Sequence, residues 1–229
     1  MALYAIADLH LSLSGEKPMD VFGENWILHT KKIKDYWLSK VNENDTVLIA
    51  GDISWAMNLE NAMVDLDWIN QLSGRKILCK GNHDYWWSSI TKINDLYKDM
   101  DFLQNNFFVY DGYAICGTRG WISPNTYSFT DEDNKIYVRE ANRLEASLGK
   151  AKAAGFTKII AMLHYPPTND SMESSLFTEV LEKYGVEQVV YGHLHGNESY
   201  KAGLKGLFNG VNYRLVSCDY LNFEAAKIF

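Results

Sequence analysis

The sequence has no stretch that approaches the roughly 20 consecutive apolar residues of a bilayer-spanning helix. Its opening, Met1 to His10, has no basic n-region, long apolar h-region or small-residue cleavage site, so no secretory signal is read there. Proline is scarce, with 4 in 229 residues, and there is no Ser/Gly tract, charge block or internal period. Nothing therefore marks a linker or a repeat array, and residues 1–229 are read as one domain. Cysteine is equally sparse. Cys79, Cys116 and Cys218 show no CxxC spacing, and an odd count suits a reducing compartment better than a disulfide framework, so the three are read as small buried hydrophobes of a cytoplasmic protein. An excess of positive charge is also missing. Lys plus Arg is 22 against 29 for Asp plus Glu, a formal charge of −7. A field of that sign opposes general binding to a nucleic-acid duplex, which depends on displacing counterions from phosphates.

What is present is the balance of an ordinary globular protein, 47% hydrophobic and 22% charged. Short apolar runs at 3–7 and 46–50 read as buried strands, and Trp26, Thr30, Ile33 and Trp37 recur between them at helical spacing. Leu59, Ala62, Met63, Leu66 and Ile69 form a second helical stripe before a strand at 76–79. Runs at 107–110 and 113–116 flank Asp111-Gly112, which takes the positive φ of a tight primed turn and predicts a hairpin. Irregular sequence at 117–133 precedes a helix expected over 135–154, a strand at 158–163, a helix over 173–184 and a strand at 188–191. The tail from Tyr213 to Phe229 reads as two more strands turning near Asn222, a terminal hairpin. Alternating strands and helices of this kind predict a mixed α/β fold with sheet inside and helices outside.

Five of the 6 histidines, His10, His83, His164, His193 and His195, sit just beyond an apolar run, and His29 does not. In α/β sheets the carboxyl ends of strands form the crevice that binds ligands. Each element taken alone is weak, because a strand-end Asp is commonly a turn or helix cap and a glycine beside it a plain turn residue. Together, Asp8-Leu-His10, Gly51-Asp52, Gly81-Asn82-His83-Asp84, His164 and Gly192-His193-Leu-His195 place oxygen and nitrogen donors at five successive strand ends. Asp8, His10, Asp52, Asn82, His164, His193 and His195 include no thiolate, and such a set suits manganese, iron or zinc.

These blocks resemble the calcineurin-like metallophosphoesterase superfamily, whose pattern is Asp-x-His, Gly-Asp, Gly-Asn-His-Asp/Glu, a lone His and Gly-His-x-His. The match is complete in type and order from residue 8 to residue 195. The resemblance implies a four-layer α/β/β/α sandwich of two mixed sheets flanked by helices. It also implies two divalent transition metal ions at one edge: Asp8, His10 and His195 would hold one, Asn82, His164 and His193 the other, and Asp52 would bridge them. The reaction so implied is hydrolysis of a phosphomonoester or phosphodiester by direct attack of a metal-bridging hydroxide. His83 would protonate the leaving oxygen or stabilise its charge, and Asp84 would orient the His83 ring, a loop-stabilising acceptor being the other reading of Asp84.

Arg119, in Gly117-Thr-Arg-Gly-Trp121, is a candidate phosphate clamp, weighed against a salt-bridged surface arginine. Trp86, Trp87 and Trp121 flank the motifs and are read as packing residues before base-stacking ones. Tyr165-Pro166-Pro167 stiffens the turn after His164, and His29 is given no role. The expected partner is a small phosphoester in preference to a polymer, with no membrane involved. The competing readings are a nuclease of the same fold, which calls for a basic strand-guiding groove, and a non-catalytic interaction module, which calls for lost ligands.

Overall fold

The computed structural model describes residues 1–15, 17–125 and 128–229, so positions 126 and 127 of the irregular segment lie outside the described residues. The strands are β1 (Leu3–Ile6), β2 (Thr46–Ala50), β3 (Arg75–Cys79), β4 (Met100–Leu103), β5 (Phe108–Tyr110), β6 (Tyr113–Thr118), β7 (Ile159–Leu163), β8 (Gln188–Tyr191), β9 (Gly206–Phe208), β10 (Val211–Leu215) and β11 (Ala226–Lys227). The helices are α1 (His29–Lys40), α2 (Leu59–Asn70), α3 (Ile90–Ile93), α4 (Asp131–Ala153), α5 (Leu176–Lys183) and α6 (Asn197–Ala202).

Two mixed sheets result. The first runs β11-β1-β2-β3-β4 and the second β5-β6-β7-β8-β10-β9. Within each, the inner strands are parallel, and antiparallel β11, β5 and β9 occupy edges. Alternation along the strands explains the layering, because successive side chains point to opposite faces. Leu3 and Ala5 of β1, Leu48 and Ala50 of β2, and Ile77 and Cys79 of β3 meet Ile115, Ile160, Met162 and Val190 of the second sheet in a core between the sheets. The intervening Tyr4, Ile6, Val47, Ile49 and Leu78 pack on Ile33 and Trp37 of α1 and Leu66 and Ile69 of α2. Ala114, Cys116, Ala161, Leu163 and Val189 pack on Leu144 and Leu148 of α4 and Leu181 of α5. Three apolar layers separate four layers of backbone, which is the α/β/β/α sandwich.

The predicted hairpin is present, with Asp111 at φ 41° and Gly112 at φ 80° joining β5 to β6. The predicted terminal hairpin is not. Although Asn222 and Phe223 do turn, at φ 53° and 65°, β10 joins the second sheet beside β8 and β11 crosses to the first beside β1. The late hairpin is β9 with β10 instead. Helix α4 begins four residues before the predicted start because Thr130 and Asp133 close a reciprocal capping box, and α5 begins three residues late because Ser175 caps it. All three cysteines are buried and unpaired, as read from their spacing.

Candidate metal centre

Every predicted ligand stands beyond the carboxyl end of a parallel strand, and four of the seven sit in turns too tight for ordinary backbone. Asp8, His10, Asp52 and His193 hold φ of 61°, 44°, 51° and 72°, left-handed values that cost non-glycine residues of order 1–3 kcal/mol each. The strain turns four side chains toward one point. Two glycines make the approach feasible: a Cβ at Gly81 would collide with the Asp52 backbone nitrogen and Oδ1, and one at Gly192 would lie 2.6 Å from Asp8 Oδ2.

Backbone donors fix the carboxylates. His83 N donates to Asp52 Oδ1 at 2.8 Å, and His193 N to Asp8 Oδ2 at 2.9 Å, which ties the two sheets together through the site itself. The free edges of these groups converge in two clusters, Asp8 with His10 and His195, and Asp52 with His164 and His193. Asn82 joins the second, its Oδ1 2.7 Å from His164 Nε2. Asp52 Oδ2 stands between the clusters, 3.8 Å from His10 Nε2 and 3.4 Å from His164 Nε2.

The donor set fits divalent cations. His10 Nε2 faces His195 Nε2 at 3.4 Å, and His193 Nδ1 faces His164 Nε2 at 3.2 Å, pairs of ring nitrogens that can share at most one proton. Burial drives His10 well below its ordinary pKa, and burial with the neighbouring His164 charge drives His193 down to about 3. In each pair a neutral imidazole, His10 or His193, packs nitrogen to nitrogen against its neighbour beside carboxylates and leaves a lone pair aimed into shared space, which a cation satisfies. The absence of thiolate favours manganese, iron or zinc. His164 behaves differently: burial opposes its charge, but Asp52 and then Asp8 outweigh burial and hold it up to about 9. Asp52 correspondingly lies below the carboxylate range, its burial overcome chiefly by His164.

The rings are oriented from behind, as second partners of metal-binding histidines usually are. His164 Nδ1 lies 3.1 Å from the Ala50 carbonyl, and His195 Nδ1 lies 3.0 Å from Asp219 Oδ1, whose other oxygen accepts the Tyr200 hydroxyl at 2.6 Å. Sequence reasoning passed over Asp219. The signal was present, since Asp219 follows the end of β10 as Asp8 and Asp52 follow theirs.

The clusters open into a cavity of about 470 Å³ whose wall includes Met19, Phe22, Trp26, Trp55 and His83. Trp55 stacks on His10 at 4.9 Å and lies 4.2 Å from the His83 ring, while Lys17 covers the Trp55 face at 4.5 Å. These tryptophans too were missed, because neither belongs to a motif. The three that flank motifs pack: Trp86 and Trp87 are core residues, and Trp121 donates to Asp133.

Two expectations are corrected. Asp84 does not orient the His83 ring, because it accepts from Gly81 N, Ile53 N, Ser54 N and Trp86 Nε1 at 2.7 to 3.1 Å, clamping the Asp52 loop to the Asn82 loop. Fully buried, it is the loop-stabilising acceptor. Arg119 is absent from the cavity wall, since its guanidinium lies 3.6 Å from Glu140 and over Trp121 at 4.7 Å, in a separate cavity. Its backbone carbonyl serves the centre instead, accepting from His164 N at 3.0 Å and Tyr165 N at 2.9 Å.

The family model for calcineurin-like phosphoesterases matches residues 1–197, and the chain belongs to that family. It is accordingly a hydrolase of phosphoesters, in a family that is typically dependent on two metals. No curated protein matches the sequence. Among solved structures, the fold is similar to phosphopantetheinyl hydrolase from Mycobacterium tuberculosis, with 14% identity, a TM-score of 0.55, and 100% of this chain and 95% of that one covered. It is also similar to a protein of unknown function from Aquifex aeolicus, with 15% identity, a TM-score of 0.53 and coverage of 99% and 95%. Among the described residues, no helix is long and apolar enough to cross a membrane.

Proposed function

We propose that this protein hydrolyses a small phosphoester, a monoester or a diester, with two divalent transition metals per chain, manganese, iron or zinc, and without a phosphorylated enzyme. The observation that carries the reading is the pair of ligand clusters with Asp52 Oδ2 between them. In this reading Asp8, His10 and His195 hold one ion, Asn82, His164 and His193 the other, and Asp52 both. Bound there, a metal pair supplies activation of water for in-line attack on phosphorus and neutralises phosphoryl charge.

His83 lines the cavity without belonging to either cluster, which suits donation of an N–H to the leaving oxygen. Its ring is half-buried under Trp55, and burial lowers its pKa. Trp55, Trp26, Met19 and Phe22 form an apolar wall for the group that leaves. The cavity volume is that of a small-molecule pocket, and its described wall residues include neither Lys nor Arg, which favours a small substrate over a nucleic acid. Retention of every ligand position weighs against a non-catalytic module. Three free buried thiols suit a reducing compartment such as the cytoplasm.

A panel of phosphomonoesters and phosphodiesters, each assayed with Mn²⁺, Fe²⁺ and Zn²⁺, tests the reading. Turnover should require metal and should favour esters with an apolar or aromatic leaving group. Hydrolysis of a chiral labelled thiophosphate ester should invert configuration at phosphorus. Metal-independent turnover, or net retention, would overturn the proposal.

A further inference from the structure

A second cavity, of about 260 Å³, lies where the carboxyl ends of β3, β4 and β6 meet α4, and it shares no wall residue with the catalytic one. Lys80 enters it from the end of β3, Arg119 from the end of β6, and Arg139 and Arg143, one helical turn apart, from α4. Four cations from three elements converge in a protein whose formal charge is −7.

One carboxylate faces them. Glu140 is fully buried, with Oε2 accepting the Thr118 hydroxyl at 2.7 Å and Oε1 accepting Arg143 Nη1 at 2.7 Å. Arg119 and Arg139 stand farther from Oε1, at 3.6 and 3.7 Å, beyond good hydrogen-bond reach. Arg119 Nε is buried with no partner. Lys80 Nζ makes no hydrogen bond to a described residue. Glu140 thus spaces the guanidinium groups and is the one carboxylate among the wall residues, against four cations. The cavity opens onto a shallow groove along α4 with which it shares Asn105, Arg139 and Arg143, so a ligand has a way in.

We propose that this cavity is an anion site for a phosphate-class dianion, separate from the metal centre. Planar guanidinium forks and an ammonium suit tetrahedral oxyanions, which take several N–H donors at once. Asn105 and Gln104 add neutral polar groups to the wall. Arg119, a candidate clamp on the reacting phosphate weighed against a salt-bridged arginine, is here a clamp in another place, and the proposal stands whether or not the catalytic reading does.

The test is calorimetric titration of inorganic phosphate into metal-loaded wild-type protein and into a Lys80→Ala/Arg139→Ala variant. Neither side chain makes a described hydrogen bond and neither belongs to the metal centre, so metal content and thermal unfolding serve as controls on folding. The wild type should take up one more equivalent of phosphate than the variant, and that equivalent should survive chelation of the metals. Arg139→Glu, a single change on the exposed helix face, should weaken the same binding step by at least about tenfold, the direct cost of reversing one charge beside a dianion. A phosphonate with a larger organic group, titrated in parallel, separates the sources: equal binding assigns the site to a phosphoryl group on a larger molecule, and binding of phosphate alone to the free ion. Equal phosphate stoichiometry and affinity in wild type and both variants would overturn the proposal, as would loss of all phosphate binding on chelation.

Discussion

The two ligand clusters repeat one plan at different depths. Each pairs an imidazole held neutral by burial, His10 or His193, with one held up by a carboxylate, His195 by Asp219 and Asp8, or His164 by Asp52 and Asp8. Each also takes a carboxylate from the first sheet and a histidine from the second, so neither assembles unless the sheets pack. They differ in what surrounds them. The His164 side is the deeper, its ring wholly buried and its half-buried partner His193, on the cavity wall, lying against Tyr165 at 4.1 Å. On the other side the His195 side chain keeps 34% exposure, next to the Trp26 and Trp55 wall. Both clusters line the cavity, and the deeper one is expected to hold its ion the more firmly.

The sharpest way to break this comparison is to remove what the clusters share. Asp52→Asn keeps the shape but deletes the anion between them, and elemental analysis should show metal content falling from about two equivalents toward none. His164→Ala and His195→Ala should each cost about one equivalent, with the remaining ion held more firmly in His195→Ala because the deeper cluster survives. Loss of both ions from either single-cluster variant would show that the two sides are not separable. Next in size is His83→Ala, which removes a ring 4.0 Å from Asp52 Oδ2 that is a member of neither cluster. It should leave metal content unchanged and lower kcat for a poor leaving group by roughly 10²–10⁴-fold, with a much smaller loss for an activated ester.

How much of this could be read beforehand follows the range of the interactions. The strand ends were legible because ligand and glycine are adjacent in sequence, as in Gly51-Asp52 and Gly192-His193, and because apolar runs mark the strands they terminate. Strand order was not, since β10 and β11 are close in sequence yet enter different sheets, a choice made by packing across the core. Asp84 and Arg119 show the same limit at the level of single side chains. Their positions beside the motifs suggested roles in the centre, but Asp84 is claimed by three backbone amides and Trp86, and Arg119 by Glu140 and Trp121. Trp55 and Asp219 reach the site from outside every motif; Asp219 has a sequence signal in following the end of β10, whereas only the folded arrangement discloses Trp55.

Asp219 offers a finer test, because it acts on one cluster alone. Asp219→Asn keeps a group beside His195 Nδ1 but removes the charge that holds and orients the ring. Affinity for the more weakly held ion should fall roughly 10–100-fold while the other is unchanged. A competition titration with a chromophoric chelator would read the two steps separately, and equal weakening of both would place the influence of Asp219 on the whole centre.

The smallest effect concerns protons. His164, held up to about 9 beside Asp52, carries a proton at neutral pH when no metal is bound, and a metal can take its Nε2 only after that proton leaves. The sign follows directly. Below about 9 each fall of one pH unit raises the proton's competitive strength, so affinity at the His164 cluster should drop about tenfold per unit and level off above that value. Metal titrations in two buffers of different ionisation enthalpy at pH 7 should report net proton release, and the release should vanish as pH passes the His164 value. His193 adds nothing to this window, because burial keeps it neutral down to about 3. An affinity independent of pH between 6 and 8 would mean that His164 is already neutral, and that Asp52 and Asp8 do not outweigh the burial of its ring.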